Sequence, residues 1–244
     1  MLFSNESVAN FINTYFEPAW EMVRQVPIFR LDFGNNNVIT RTLHGNIATY
    51  VCTSSGEVLD ALPGIYAPTA YVDSLNQFRL LSNYVDREGK EKRPQRLKDY
   101  HQKQAETLRK NEAPFVLVNS AGISKAAIER TVAVLVAAKD AHLYPSMDGR
   151  VLHAKATLTK DKLQLDSQEE LENWKLLSED TRLNETIRRR QIHALLADAG
   201  LVQPDQIKKR IYKEVLHADL DDPYLGLGNM LFTNYPFAKE DKAP

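Results

Sequence analysis

The sequence holds a single cysteine, Cys52, and that scarcity removes several chemistries at once. No second thiol is available for an intramolecular disulfide, a CxxC redox pair or a cysteine-rich zinc site. A reducing compartment suits such a chain. Long apolar runs are missing too. The most hydrophobic stretch, residues 131–138, falls well short of the roughly 20 residues that span a bilayer. The opening Met1-Leu2-Phe3-Ser4-Asn5-Glu6 carries neither the basic segment nor the apolar run of a signal peptide. The expectation is a cytoplasmic protein with no membrane partner. Charge of one sign is not in excess either. With 31 basic and 32 acidic residues the net charge is −1, so no whole-chain field steers a polyanion to it.

Phosphate-binding and hydrolytic signatures are also absent. There is no GxxxxGK[ST], no GxGxxG and no GxSxG elbow; Gly226-Leu227-Gly228 lacks both a third glycine and a preceding strand. The six histidines form no HExxH or HxxxH pair, which leaves helix-borne zinc without support. No resident cofactor is expected.

What remains is an ordinary globular composition: 244 residues, 43% hydrophobic and 26% charged. That length suits one large domain or two small ones. Val8, Phe11, Ile12 and Tyr15 recur at the spacing of one helical face, predicting a helix over 6–16 that Pro18 ends. Residues 27–33 alternate as a half-buried strand, and 38–43 and 47–52 read as two more. Thr53-Ser54-Ser55-Gly56 is a hairpin turn, residues 57–62 are the returning strand, and Pro63-Gly64 stops it. Pro68 opens a helix whose inner stripe is Tyr71, Leu75, Phe78 and Leu81. A helix over 94–110 follows within a basic connector.

Beyond it, a strand at 115–118, a helix at 124–141 and two short strands within 151–165 are expected. A helical pattern then runs to Ala199-Gly200. Another starts at Pro204 and ends near His217, before a loop-like tail. The organisation expected is therefore 1–82, a basic connector at 83–112, and a mainly helical region at 113–244.

Two segments resemble the later part of thioredoxin-like proteins. Val8-Ala9-Asn10-Phe11-Ile12-Asn13-Thr14-Tyr15-Phe16-Glu17-Pro18 is similar to the segment that closes the active-site helix region in some bacterial members. Ile47 to Cys52, then Ser54-Ser55-Gly56-Glu57-Val58, then Leu62-Pro63-Gly64, resembles the strand, glycine hairpin and strand that precede the last helix of that fold. The resemblance covers about a third of the chain. It implies an α/β fold: a thioredoxin-like core, a mixed sheet with flanking helices, followed by the mainly helical region. The family's CxxC would lie upstream of Val8, and no proline stands near Gly45-Asn46 where its cis-proline belongs. The chemistry of the family does not carry over, so the expectation is a redox-silent domain that binds another protein.

Several residues are candidates for chemistry. Cys52 would serve a thiol-dependent enzyme if His44 or Arg41 lowered its pKa; otherwise it packs as a small apolar side chain. His44, beside Gly45, would be a general base or a residue that bonds a turn. Asp60 and Tyr66 would be surface recognition residues, or else mark a strand exit in which Tyr66 caps the core. Asp219, Asp221 and Asp222 could hold a hard cation; turn formation before Pro223 is the simpler account. The basic stretch 87–110 with Tyr84 and Tyr100, and Arg188-Arg189-Arg190, would suit nucleic acid. Interleaved acidic residues make solvated helix faces the expectation instead.

Overall fold

The computed structural model describes residues 2–25, 28–32, 38–42, 47–87, 89–111, 177 and 180–226, with 28–32, 38–42 and 111 as backbone only. The expected elements at 115–118, 124–141 and 151–165 lie outside the described residues.

The chain is mixed α/β and mostly helical. Helix α1 (Glu6–Tyr15) begins where Asn5 turns its side chain back to accept from the Val8 N–H at 3.2 Å. Such a cap satisfies one of the donors that every helix start leaves open. Strands β1 (Ile28–Asp32) and β2 (Val38–Thr42) pair antiparallel, with Phe29 opposite Arg41. Strands β3 (Ala48–Cys52) and β4 (Val58–Pro63) form a second antiparallel pair, with a bulge between Val51 and Cys52, so the described strands make two separate antiparallel pairs in place of the mixed sheet expected. Gly56 sits in the β3–β4 turn at φ 84°, a conformation open to glycine at little cost.

Helix α2 (Pro68–Asp86) follows, with Pro68 in its first turn. Tyr71, Leu75, Phe78 and Leu81 are its buried stripe, as their spacing predicts. The helix runs on past residue 82, to Asp86. Helix α3 spans Arg93–Asn111. After residue 180, a π turn over Asn184–Arg188 leads into α4 (Arg189–Ala199), which ends at Gly200. Helix α5 (Pro204–Arg210) continues into a second π turn over Ile211–Val215, in place of the uniform helix expected up to His217.

All six residues of β4 are buried, so the strand is covered on both faces. Val58 and Ala61 pack with Ile192, Leu196, Ile207 and Ile211 of α4, α5 and the second π turn. Leu62 joins Val8, Tyr71 and Phe78, while Leu59 meets Leu81, Val85 and Leu97. One strand from the first quarter of the chain is thus the shared wall of three apolar clusters. No described helix is long and apolar enough to cross a membrane.

Candidate functional site

The one charge in β4 is Asp60, and it has no exposed surface. A carboxylate removed from water is tolerated only when its lone pairs are filled. Here they are. Arg189 donates from Nη1 to Oδ1 at 2.6 Å and from Nη2 to Oδ2 at 2.8 Å. The Ala61 N–H donates to Oδ1 at 2.8 Å and the Tyr100 hydroxyl to Oδ2 at 3.2 Å. Arg189 also donates to the Ala61 carbonyl, and its guanidinium lies 5.3 Å from the centre of the Phe78 ring. Burial on its own would raise the Asp60 carboxyl, but Arg189 outweighs it and holds that carboxyl well below the usual carboxylate range. Burial likewise opposes the charge on Arg189, and Asp60 restores it.

The π turn delivers this arginine. The Arg189 N–H donates to the Asn184 carbonyl five residues back, a wider winding than the α-helix uses. Asn184, Arg188 and Arg189 all reach partners in the interior as a result. Asn184 donates from Nδ2 to the Ile65 carbonyl at 2.6 Å and to Asp180 at 3.1 Å. Arg188 pairs with Asp180 at 3.1 Å. Thr181 accepts from the Ala67 N–H at 2.9 Å.

Beside the ion pair lie two buried histidines. His101 of α3 and His193 of α4 face each other Nδ1 to Nδ1 at 2.9 Å, and the edge of Tyr100 contacts both rings. The Leu59 backbone favours the charged form of His101. Burial pushes His101 down, with Arg189 acting in the same sense against Asp60; burial and then Arg189 push His193 down to about 3. Both rings are neutral near pH 7.

Asp60, His101 and His193 each bring a donor atom within 4.8 Å of the others, the donor types of a transition-metal site. The carboxylate, however, already has four donors on its two oxygens, and a dication there would lie against the Arg189 guanidinium. The cluster fits a hydrogen-bonded tie better than a metal centre. It joins β4, α3 and α4. A second tie closes the edge of α3: Arg93 bridges Glu57 at 2.8 Å and Asp86.

The structure moves several sequence-derived candidates. Asp60 and Tyr66 are buried, which corrects their reading as surface recognition residues. A lone charge in an apolar strand covered on both faces has nowhere to go but inward. Tyr66 packs into the core beside Tyr71. Arg188 and Arg189 are likewise not a solvated face, because the π turn rotates them inward. Tyr100 serves the cluster and so presents no free ring for base stacking. Arg41 lies in β2 opposite Phe29, and its side chain and His44 lie outside the described residues.

The aspartates near the C-terminus are engaged. Asp219 pairs with Lys213 and Asp221 with Lys209, each at 2.7 Å, and Asp222 accepts from the Tyr224 N–H at 2.7 Å. They act there as turn-forming residues.

Cys52 is half-buried against the cluster around Ile192, and burial pushes its thiol up from its ordinary value. Its alkylation by iodoacetamide in the folded chain is therefore expected to titrate above the free-thiol value of about 8.5. A midpoint near pH 7 would show an activated thiolate instead.

One surface feature left no mark in the sequence reading. Phe16 packs against the cluster around Phe78, and Val23 packs against the cluster around Ile192. Between those anchors the chain runs over the surface. Trp20 is 86% exposed and Met22 65%. Glu21 is paired with Lys208 at 3.1 Å, and Arg24 donates to the carbonyls of Leu220 and Asp222.

Comparison with known proteins finds no matching family model, no similar curated protein and no similar solved structure.

Proposed function

We propose that the chain is a redox-silent, thioredoxin-like domain that works by binding another protein. The observation that carries this reading is the tethered Trp20–Met22 segment. Large apolar side chains cost solvation when exposed, and an exposed tryptophan on a pinned backbone is the residue type that dominates protein interfaces. Its anchors at Phe16, Val23 and Arg24 lower the ordering cost of binding, because little backbone freedom is left to lose. The order of α1, the β3–β4 hairpin and α2 is what favours the fold part of the reading; the two separate antiparallel strand pairs do not add to it. The raised thiol of Cys52 disfavours a thiolate, and the lone pairs of Asp60 are filled; both favour binding over catalysis.

The test is affinity capture from an extract of the source cell, with the wild-type chain beside Trp20→Ala and Met22→Ala. Loss of an interface tryptophan typically costs at least about 2 kcal/mol, so a true partner should be retained roughly 30-fold less by Trp20→Ala. The unfolding free energy should move by less than about 0.5 kcal/mol, because both side chains are exposed. An identical set of retained proteins for wild type and variants would sink the proposal.

A further inference from the structure

We infer that the His101–His193 contact is an acid-released latch between α3 and α4. These helices stand on either side of residues 112–176 in the chain. Among the described residues of α3, Arg93, Leu97 and His101 are buried, with Tyr100, Ala105 and Leu108 half-buried, and Leu97 packs with Leu59, Leu81 and Val85. Much of the rest of its attachment is polar: Arg93 to Glu57 and Asp86, Arg96 to the Tyr84 carbonyl at 2.9 Å, Tyr100 to Asp60, and His101 to His193. Helices held by apolar burial open only with the whole domain. One held by a few polar contacts opens when those contacts change.

Proton counting sets the direction. The two Nδ1 atoms lie 2.9 Å apart, so one of them carries the proton and the other accepts it. One proton serves that contact. A second, placed on the accepting Nδ1, sets two N–H groups against each other. Placed on His193, it puts a cation beside Arg189. Among the described residues, the charged and titratable groups facing the pair are Asp60 from β4, Arg189 from α4 and Tyr100 from α3. Asp60, the only anion among them, is already neutralised by Arg189.

The folded state therefore favours neutral imidazoles, and the released helix binds protons at the ordinary value of about 6.5. The latch is intact above that value and loosens as pH falls through it. Each histidine multiplies the opening equilibrium by up to about tenfold per pH unit, so the pair gives up to about 100-fold. Asp60, whose carboxyl the fold holds low, loses its contribution only below about pH 4, its ordinary range. The histidine effect thus comes first.

The experiment is amide hydrogen exchange on the full chain between pH 7.5 and 4.5, corrected for intrinsic exchange rates. It compares α3 amides with β4 amides in wild type and in His193→Asn, whose side-chain amide reaches the Nδ1 position without titrating. The expected result is an opening constant for α3 that rises by tenfold or more per pH unit below about pH 6, while β4 changes less. In His193→Asn the slope should fall by about one proton. Ring nitrogen shifts of the wild-type histidines, read by NMR over the same range, should stay those of neutral imidazole in the closed form, and this readout does not need the variant to fold. A flat α3 profile, equal pH dependence of α3 and β4, or a charged imidazole in the closed form at pH 6 would each overturn the latch.

Discussion

Replacing Asp60 by Leu is expected to lower the unfolding free energy by about 3–5 kcal/mol, and Arg189→Met by a similar amount, because each leaves the other charge buried alone. For a chain of this size that is a fall of roughly 6–20 °C in Tm. The informative variant is the double one. Asp60→Leu combined with Arg189→Met removes both charges and leaves apolar side chains against Phe78, so it should lose less than either single change. Urea unfolding of the four proteins at pH 7.5 measures the coupling. Single losses below about 1 kcal/mol would place the pair with solvent-exposed ion pairs, against the geometry. Strict additivity would show that the two side chains act on stability independently.

The second large effect is expected at Gly64. Its φ is 77°, and an added Cβ would lie 2.7 Å from Nδ2 and 2.8 Å from Oδ1 of Asn184. Gly64→Ala therefore carries two penalties. A left-handed alanine costs about 1–2 kcal/mol. Displacing Asn184 strips the Ile65 carbonyl and Asp180 of a buried donor, at about 1–3 kcal/mol. The sum expected in urea unfolding is about 2–5 kcal/mol. Asn184→Ala alone loses the same hydrogen bonds but makes room. In the Asn184→Ala background, Gly64→Ala should then cost only the backbone share, about 1–2 kcal/mol. An unchanged cost in that background would mean that Asn184 is not what Gly64 accommodates.

Both effects sit where the helices meet the exit of β4, and the two sides of that junction were unequally visible in the sequence. The helices α1, α2 and α3 and the β3–β4 hairpin follow from local patterns: the Val8–Tyr15 spacing, the Tyr71–Leu81 stripe, the Ser-Ser-Gly turn. Asp60 was read with Tyr66 as surface recognition or as part of a strand exit, and neither reading turned its charge inward. A strand read as one face of a surface sheet would turn its charge outward, whereas β4 is covered on both sides.

Arg189 was hidden for a different reason. In a run of three arginines following acidic residues, charge patterning points to solvent, and 3.6-residue counting misplaces a side chain that follows a π turn. His101 and His193 lie 92 positions apart, a separation that no local pattern spans. The signal that was available is physical: an aspartate amid Val58, Leu59, Ala61 and Leu62 must find a cation, and the only question is which one.

The burial of β4 also bears on how the chain is made. Asp60 and Arg189 are 129 positions apart. At roughly 5–20 residues per second, a ribosome needs on the order of ten seconds to supply the arginine after the aspartate. Throughout that interval the hairpin exists without α4 and α5, and Val58 and Ala61 of its apolar strand lack their partners. An uninterrupted Val-Leu-x-Ala-Leu strand in that condition is a template for pairing with other nascent chains. Asp60 interrupts it with a solvated charge, which such pairing would have to bury without a cation. The same carboxylate that anchors the finished protein would thus act as a gatekeeper during synthesis, and be switched to structural duty only when Arg189 arrives.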